Sequence, residues 1–290
     1  MPEVDPGERD RLFRLAYRML GRAGDAEDAV QETFLRWAAA DQETIENPAA
    51  WLTTVCTRVC LDTLRSARWQ REHYVGPWLP EPVLTAEEPD DPVLLAESVS
   101  MAFLVVLESL SPLERVAFVL HDIFGHSYEE VAATLQRSPA AVRQLASRAR
   151  RHLADRPPRF EPDASRRAAV ADAFLDACLG ADLDRLLELL APEVTFVADS
   201  GGVVAAPRQP VVGAGRVARL LLGLAGQVPA GTELRRVEVN GMPGIVAVVH
   251  HRVDTVISLD VVAGRITAVR VVRSPEKLRA LAGKIFPKPE

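Results

Sequence analysis

The stretch at residues 111–152 constrains the fold of this chain more than any other part of the sequence. Apolar residues recur there at helical spacing until Gly125 interrupts the run. Ser127 stands three residues before Glu130, which is the spacing of a capping box that starts a helix. A second start signal follows at Ser138-Pro139, a cap residue in front of a first-turn proline. The stretch therefore predicts two short helices, a tight turn and a further helix, arranged as a helix-turn-helix.

The last of these helices carries basic charge and almost no acidic charge. Its arginines, with the one that precedes it, are Arg137, Arg143, Arg148, Arg150 and Arg151, and no acidic residue follows before Asp155. Arginine presents a rigid fork of donors to guanine edges and phosphates. The pattern is therefore typical of a helix that enters the major groove of DNA. The alternative is a small helical bundle whose basic face is simply solvated.

The composition of the whole chain narrows its class. The 290 residues suffice for two or three domains, and the net charge of −6 means that any DNA contact must come from local basic patches. The three cysteines suit a reducing cytosol better than a disulfide framework. No apolar run reaches transmembrane length, and the first ten residues are charged with no apolar core. These features predict a cytoplasmic protein without a membrane association.

Changes in composition divide the chain into segments. Residues 1–73 and 99–155 show helical periodicity, which predicts two all-α domains. Between them, residues 74–98 hold five prolines, six acidic residues and no basic residue. Such a segment cannot form one continuous helix, and we expect an extended acidic linker there. A second short linker is predicted at 156–163, within the sequence DRPPRFEPD.

The last segment, residues 164–290, predicts a different kind of domain. Helical patterns come first, and patterns of period two follow. The expected helices are 164–180, 182–190 and 213–226, and the expected strands are 194–199, 234–241, 244–253 and 255–273, the last broken by a hairpin turn at Gly264. Helices followed by strands predict an α+β domain with a curved antiparallel sheet and a concave face.

Two segments, in this order, resemble the extracytoplasmic-function (ECF) group of bacterial RNA polymerase sigma factors. DAEDAVQETFLRWA (25–38) is similar to the region 2 helix of that family, and SYEEVAATLQRSPAAVRQLASRARRHL (127–153) is similar to its region 4 helix-turn-helix. The resemblance implies a region 2 helical bundle at 1–73 and a region 4 domain at 99–155. It further implies two partners, promoter DNA and the RNA polymerase core through its largest and second-largest subunits.

The resemblance also implies roles for particular residues. The surface that binds polymerase would consist of Asp28, Gln31, Glu32 and Arg36. The −10 promoter element would be melted and read by residues 41–48 and the helix at 49–71, with Arg58, Asp62, Arg65, Arg68 and Trp69 as candidate contacts. Arginines beside an exposed aromatic ring suit melted DNA because unstacked bases stack on the ring. The −35 element would be read by Pro139, Ala140, Arg143, Gln144, Ser147 and Arg148.

The linker sequence WLPEP (78–82) and the α+β segment together resemble the ECF sigma factors that carry a fused SnoaL-like cone domain. In that group the extension is thought to regulate the factor to which it is fused. The segments DSGG (199–202) and SPEKL (274–278) stand where the group often has related motifs, from which both depart. The implied regulatory contacts are Trp78, Leu79, Pro80, Asp199, Gly201, Gly202, Pro275 and Lys277.

Catalysis by the last domain is not expected. SnoaL-like cones resemble a ketosteroid isomerase, whose chemistry uses a carboxylate base and an acidic donor. The carboxylate and imidazole candidates are Asp199, Asp254, Asp260, His250 and His251, but no tyrosine follows Tyr128. His250 and His251 lie in an expected strand, which would point them to opposite faces. A small apolar molecule is a more plausible occupant of this domain than a substrate.

No cofactor and no metal site are predicted. Cys56 and Cys60 share a helix face, but no second pair of ligands completes a zinc site. Two other classes of function stay open from the sequence. One is a helix-turn-helix repressor, which would bind duplex DNA without polymerase. The other is a small-molecule-binding or isomerase-like enzyme fused to a DNA-binding module.

Overall fold

The structure, a computed structural model, describes residues 6–72, 74–85, 100–154 and 163–285. The chain folds into two compact units. The helical unit comprises the described residues within 1–73 and 104–157, and the sheet unit comprises those within 74–103 and 158–290. Residues 74–85 of the predicted linker thus belong with the C-terminal part of the chain. The predicted linker residues 86–98 and most of the predicted linker at 156–163 lie outside the described residues.

The first half of the helical unit is a three-helix bundle. Its helices are α1 (Pro6–Leu20), α2 (Ala23–Ala39) and α3 (Pro48–Glu72), with a 3₁₀ turn at Gln42–Thr44. The apolar stripes expected from the sequence face one another, and Leu12, Leu15 and Leu52 are completely buried. The rings of Trp37 and Trp51 meet edge to face at 5.3 Å between centroids.

The second half contains the helix-turn-helix that the sequence predicts. After α4 (Met101–Leu107) come α5 (Pro112–Phe118), a π-helical turn at Val119–Ile123, α6 (Tyr128–Leu135) and α7 (Pro139–Ala154). The Ser127–Glu130 capping box forms, and Ser138 Oγ accepts a hydrogen bond from Ala141 N. Gly125 has a positive φ of 71°, which accounts for the interruption between the helices.

Buried arginines join the two halves of the helical unit. Arg115 is 3% exposed, and its Nη1 donates to the Met19 carbonyl at 2.9 Å and to Glu108 Oε1 at 2.6 Å. Arg18 is also 3% exposed and lies over the Phe124 ring. Burial lowers the pKa of the Arg18 guanidinium to about 10. Because a buried cation is stabilised only when its partners are well placed, the contact between the two halves of the helical unit requires accurate packing around Arg18 and Arg115.

The sheet unit combines helices with one six-stranded sheet. The helices are α8 (Ala164–Leu179), α9 (Leu183–Leu189), α10 (Ala214–Ala225) and α11 (Pro275–Ile285). The strands are β1 (Leu190–Asp199), β2 (Val211–Val212), β3 (Glu233–Val239), β4 (Met242–Val249), β5 (Arg252–Val262) and β6 (Arg265–Val272). They lie in the order β2-β1-β6-β5-β4-β3.

The sheet is mixed rather than antiparallel throughout, which corrects the sequence-based expectation. β1 pairs with β6 in parallel, with Phe196 opposite Val269. The chain between these two strands is long and includes α10, so it can return β6 in the same direction as β1. The remaining pairs are antiparallel.

The two faces of the sheet have different surroundings. One face packs against α8–α10 in an apolar core that includes the buried rings of Phe174 and Phe196. Alternate residues of β1 and β5, among them Asp199 and Asp260, belong to the opposite face. Helix α11 packs against β5, with Leu278 and Leu281 buried. The sheet therefore holds an apolar core on one side and buried charged groups on the other.

One prediction about the strands is wrong. His250 and His251 do not lie within a strand but form the turn between β4 and β5, with φ of 49° and 59°. Two consecutive positive φ values are typical of a two-residue hairpin turn, for which the sequence has none of the usual glycine or asparagine. The hairpin turn between β5 and β6 does carry its signal, since it includes Gly264, and Ala263 and Gly264 have φ of 50° and 73°.

Candidate nucleic-acid interface and linker contacts

The exposed side of α7 carries the residues that the sequence assigns to the −35 element. Val142, Leu145 and Ala146 are buried. On the other side, Ala140, Arg143, Gln144, Ser147 and Arg148 are exposed, and Pro139 is half-buried. An open cleft of about 330 Å³ is lined by Arg143, Gln144, Ser147, Arg148 and Arg151. Because α7 alone supplies this lining, the cleft is a groove between side chains of one helix, suited to a surface contact.

The arginines of α7 differ in ways that the sequence does not reveal. Arg150 Nε donates to Asp122 Oδ1 at 2.6 Å, and its Nη2 donates to the Tyr128 hydroxyl at 3.1 Å. These hydrogen bonds raise the pKa of Arg150, with that to Asp122 contributing most. The Arg143 guanidinium lies over the Tyr128 ring, 5.6 Å from its centroid. Arg148 Nε donates to Glu114 Oε1 at 2.7 Å.

Glu114 is a functional candidate that sequence reasoning missed. Its position three residues after Ser111 signals a second capping box, which the structure contains. That local signal explains the contact with Ser111 but not the contact with Arg148, which lies 34 residues further along the chain. The second contact depends on how α7 packs against α5.

The candidate polymerase-binding residues lie together along α2. Asp28, Gln31 and Arg36 are exposed, whereas Glu32 is partly buried. Arg36 Nε donates to Glu32 Oε1 at 2.7 Å, an i,i+4 pair. Leu35 is 59% exposed on the same helix, so an apolar side chain accompanies the polar ones. An exposed leucine beside a polar stripe is a suitable anchor for a protein contact.

The candidate −10 residues are located on α3. Arg58, Asp62 and Arg65 are exposed, and Arg65 Nη1 lies 3.3 Å from Asp62 Oδ1. Arg58 Nε also donates to the Thr134 carbonyl of α6 at 3.3 Å, and the hydroxyls of Thr54 and Thr134 are 3.3 Å apart. This face of α3 therefore contacts the helix-turn-helix. Arg68 and Trp69 belong to α3, but their side chains lie outside the described residues.

The predicted linker contacts centre on the buried carboxylate of Asp199, at the end of β1. Asp199 is 0% exposed. Its Oδ1 accepts hydrogen bonds from the Tyr74 hydroxyl at 2.6 Å and from Gly201 N at 3.0 Å. Its Oδ2 accepts from Leu79 N at 2.8 Å and from Lys277 Nζ at 2.6 Å. Four donors thus satisfy a charge that would otherwise be costly to bury.

The cation of this pair is enclosed by the linker. Lys277 is 2% exposed, and its Nζ also donates to the Leu79 carbonyl. The ammonium lies 4.2 Å from the centroid of the Trp78 ring and 5.1 Å from that of Tyr74. Burial, followed by the hydrogen bond to Asp199, raises the pKa of the Tyr74 hydroxyl, so that group stays a donor. We call Tyr74, Trp78, Leu79, Asp199 and Lys277 the linker latch.

Two glycines and the start of α11 shape the surroundings of the latch. Gly201 and Gly202 have φ of 64° and 72°. A Cβ on Gly201 would lie 2.9 Å from Ser274 Oγ, and one on Gly202 would lie 2.8 Å from Val75 Cβ. Pro275 is the first residue of α11, and Pro80 is buried in the linker. The structure therefore brings all the predicted linker and C-terminal residues into one region, while their regulatory role stays a prediction.

A second anchor fixes the linker to the edge strand β3. Val83 N donates to Asn240 Oδ1 at 3.1 Å, and Asn240 N donates to the Val83 carbonyl at 2.8 Å. Thr85 N donates to the Glu238 carbonyl at 3.1 Å, and Leu84 forms an antiparallel bridge with Val239. The linker thus supplies partners to an exposed strand edge. No pattern in the sequence indicated this anchor.

The candidate catalytic carboxylates are occupied by ion pairs. Asp199 binds Lys277, Asp254 lies 3.1 Å from Arg273 Nη2, and Asp260 is paired with Arg270. His250 and His251 are exposed in their turn, away from any strand face. Within the described ranges, no group of three or more His, Cys, Asp or Glu residues could hold a metal ion. None of the helices in those ranges is both long and apolar enough to cross a membrane.

Two family models match the helical segments. The model for sigma-70 region 2 matches residues 8–70, and that for sigma-70 region 4 matches residues 100–153. Region 2 followed by region 4 is the domain order of bacterial sigma factors, and the chain has this order. The candidate promoter-reading helices α3 and α7 lie in the matched regions.

Curated relatives and a solved structure agree with these matches. The ECF RNA polymerase sigma factor SigJ of Mycobacterium tuberculosis (strain H37Rv) is 47% identical over 221 residues, covering 74% of this chain and 70% of SigJ. The probable ECF sigma factor SigI of the same species is 38% identical over 281 residues, covering 96% of this chain and 94% of SigI. The crystal structure of M. tuberculosis SigJ is 38% identical with a TM-score of 0.75, covering 93% of this chain and 95% of that one.

This chain belongs to the ECF RNA polymerase sigma factors. The predicted fold class of two helical regions followed by an α+β domain is confirmed, with the correction that the sheet of this domain is mixed. The predicted function as an alternative sigma factor that directs transcription initiation is also confirmed. The comparisons favour it over the repressor and the enzyme that the sequence left open.

Proposed function

We propose that this sigma factor reads a bipartite promoter and that its C-terminal domain modulates this activity through the linker. Helix α7 would read the −35 element with Pro139, Ala140, Arg143, Gln144, Ser147 and Arg148. Helix α3 would read the −10 element with Arg58, Asp62, Arg65, Arg68 and Trp69. Because its partner is the RNA polymerase core, we expect the protein to act in the bacterial cytoplasm.

The polymerase contact would be made by α2. Asp28, Gln31, Glu32 and Arg36 form a polar face, and Leu35 adds a leucine side chain that is 59% exposed. Substitution of both Asp28 and Glu32 by arginine reverses two charges on this face. We expect the variant to lose copurification with core polymerase while its fold is kept, because Asp28 is exposed and the Glu32 side chain is 44% exposed, and such surface positions tolerate substitution.

The single observation that carries the regulatory proposal is the linker latch. The buried Asp199–Lys277 pair holds Leu79 through both its N–H and its carbonyl group. Together with the Val83–Asn240 anchor, it holds the described linker residues 74–85 on the sheet unit. A polypeptide spans at most about 3.5 Å per residue, so the undocked residues 74–85 could extend over up to roughly 40 Å, whereas docking holds them at one fixed end-to-end distance in the connection between α3 and α4.

The proposal assigns the C-terminal domain a regulatory role rather than a catalytic one. The family acts in transcription, and the three aspartates that are candidates for a base are each in an ion pair. The apolar core against α8–α10 is filled by the domain's own side chains, including Phe174 and Phe196. That packing supports the view that these side chains stabilise the domain rather than line a ligand pocket. Binding of a small apolar ligand stays a prediction.

Transcription in vitro tests the proposal directly. Core polymerase would be combined with the full chain, or with the chain ending at residue 163, on a library of promoter templates. We expect removal of 164–290 to change activity on promoters that the full chain recognises, because it removes both anchors of the linker. Equal activity of the two proteins across several promoters would rule out regulation by this domain and leave only the promoter-reading role.

A further inference from the structure

We propose that Glu114 of α5 is a positioning residue that orients the Arg148 guanidinium of α7 for reading a base in the −35 element. The inference rests on the proposed function of α7 as the −35 reader. It adds a residue outside the recognition helix to the promoter-reading machinery. It also separates Arg148 from Arg143, which the resemblance assigns to the −35 element in the same way.

The carboxylate of Glu114 is held from both sides. Its Oε2 accepts hydrogen bonds from Ser111 N at 3.1 Å and from Ser111 Oγ at 2.7 Å, while Ser111 Oγ accepts from Glu114 N. Its Oε1 accepts from Arg148 Nε at 2.7 Å. The Glu114 side chain is only 10% exposed. The start of α5 therefore fixes the position of the group that holds Arg148.

The ionised form of Glu114 is the relevant one at neutral pH. Burial opposes ionisation, but the hydrogen bonds from Ser111 and Arg148 outweigh it and lower the pKa of Glu114 below its ordinary value. The contact with Arg148 is therefore a charge-assisted hydrogen bond in a partly desolvated position, where such bonds are strong.

The Arg148 side chain is held at one edge and open at the other. Its Nε faces Glu114, and the side chain is 46% exposed. Its two terminal nitrogens have no partner in the part of the chain that the structure describes, and the residue lines the α7 cleft with Gln144 and Ser147. Arginine reads guanine with a pair of donors aimed at O6 and N7, so a fork fixed by its Nε edge needs less ordering on binding.

The neighbouring arginines lack this combination. Arg150 uses both Nε and Nη2 on Asp122 and Tyr128, so its fork is turned toward the protein. Arg143 lies over the Tyr128 ring, and neither it nor Arg151 has a carboxylate partner within the described ranges. An untethered arginine can move to a phosphate, whereas a tethered one is directed at a fixed place in the groove. Arg148 is thus the arginine best suited to discriminate one base.

The test uses the full chain with core polymerase on promoter templates in which each −35 base is varied singly. Glu114→Gln keeps the shape of the side chain and removes its charge. We expect the preference for one base at one position to fall roughly fivefold or more, with the other positions unchanged. Arg148→Ala should lose the same preference, and adding Glu114→Gln to it should cause no further loss at that position.

Glu130→Gln is the matched control. Glu130 occupies the same place in the Ser127 capping box of α6, with its Oε2 accepting from Ser127 N and Oγ, and contacts no arginine of α7 within the described residues. It should leave the base profile unchanged. Arg148→Lys provides a second variant that does not disturb either capping box. It keeps a positive charge but loses the Nε contact, and should lose the base preference as Glu114→Gln does.

Three results would overturn the proposal. The first is a Glu114→Gln protein that loses activity evenly at all positions together with thermal stability, which would make Glu114 structural. The second is an Arg148→Ala protein whose base profile is unchanged but whose DNA binding depends less steeply on salt, by the equivalent of about one phosphate contact. That result would make Arg148 a contact to the DNA backbone. The third is an unchanged profile in Arg143→Ala and Arg148→Ala alike, which would refute α7 as the −35 reader and so the proposed function itself.

Discussion

The linker latch allows a quantitative prediction, because its central charge is completely buried. Lys277→Met keeps an unbranched side chain against the Trp78 and Tyr74 rings but removes the ammonium group. Asp199, at 0% exposure, then keeps three of its donors and loses its counter-charge. Removing one partner of a buried ion pair typically costs about 3–5 kcal/mol. Since the pair joins the linker to β1 and α11, we expect this cost to appear as undocking of the linker.

Amide hydrogen exchange measures that undocking at the groups concerned. The Leu79 N–H donates to Asp199, and the Val83 N–H donates to Asn240 at the second anchor. A loss of about 3–5 kcal/mol corresponds to faster exchange by roughly two to four powers of ten. We expect that acceleration at Leu79 and a smaller one at Val83. Arg219→Met, which changes an exposed cation on α10, serves as the control and should leave both rates unchanged.

A double substitution separates the charge effect from simple loss of contacts. Asp199→Asn together with Lys277→Met removes both charges, so the buried uncompensated carboxylate is absent. We expect it to restore at least half of the lost protection, because the charge left unpaired causes most of the penalty. The reasoning would be refuted if Lys277→Met accelerated exchange at Leu79 by less than tenfold in a folded protein.

The other predictions concern separate parts of the molecule. Asp28→Arg with Glu32→Arg should abolish copurification with core polymerase, checked by affinity pull-down; retention at the level of the original chain would contradict the assignment of α2. Gly202→Ala should weaken linker docking by about 1–3 kcal/mol in amide exchange, because φ is 72° and the new Cβ would lie 2.8 Å from Val75 Cβ; an unchanged protection of Leu79 would argue against that strain. Burial raises the pKa of the Cys178 thiol to about 12. The folded state therefore holds this proton more tightly than the unfolded chain, and its contribution to stability should fall between about pH 9 and pH 12. A Cys178→Ala variant should lack that part of the pH dependence in denaturant titrations; an identical dependence would exclude Cys178 as its source.

Local signals in the sequence predicted the helix-turn-helix well. A capping box uses residues three apart, and a helix-starting proline acts on its own turn, so Ser127, Glu130 and Pro139 carry their information within a few residues. The hairpin at Gly264 was predictable for the same reason. The turn at His250 and His251 was not, because its residues are not those that usually adopt positive φ.

Contacts between distant residues were less accessible. The resemblance to the family indicated that the linker meets the DSGG and SPEKL segments. It did not indicate which atoms join them. Lys277 meets Asp199 from 78 residues away, and Tyr74 meets it from 125 residues away. The parallel pairing of β1 with β6 depends equally on a long connection. No periodicity encodes such pairs, since they depend on where whole elements pack.

The sequence by itself therefore determined the order of the helical and sheet-forming segments, the helix-turn-helix and the family of the chain, because caps, turns and amphipathic stripes act through neighbours in the chain. The tertiary structure decided which charges are buried together and which remain available. It placed Glu114 beside Arg148, turned Arg150 toward Asp122, and enclosed Lys277 between the linker and Asp199. A buried charge must be paired and hydrogen-bonded, and its partners can be far away in the sequence. Only the packing of whole elements determines which residues become those partners.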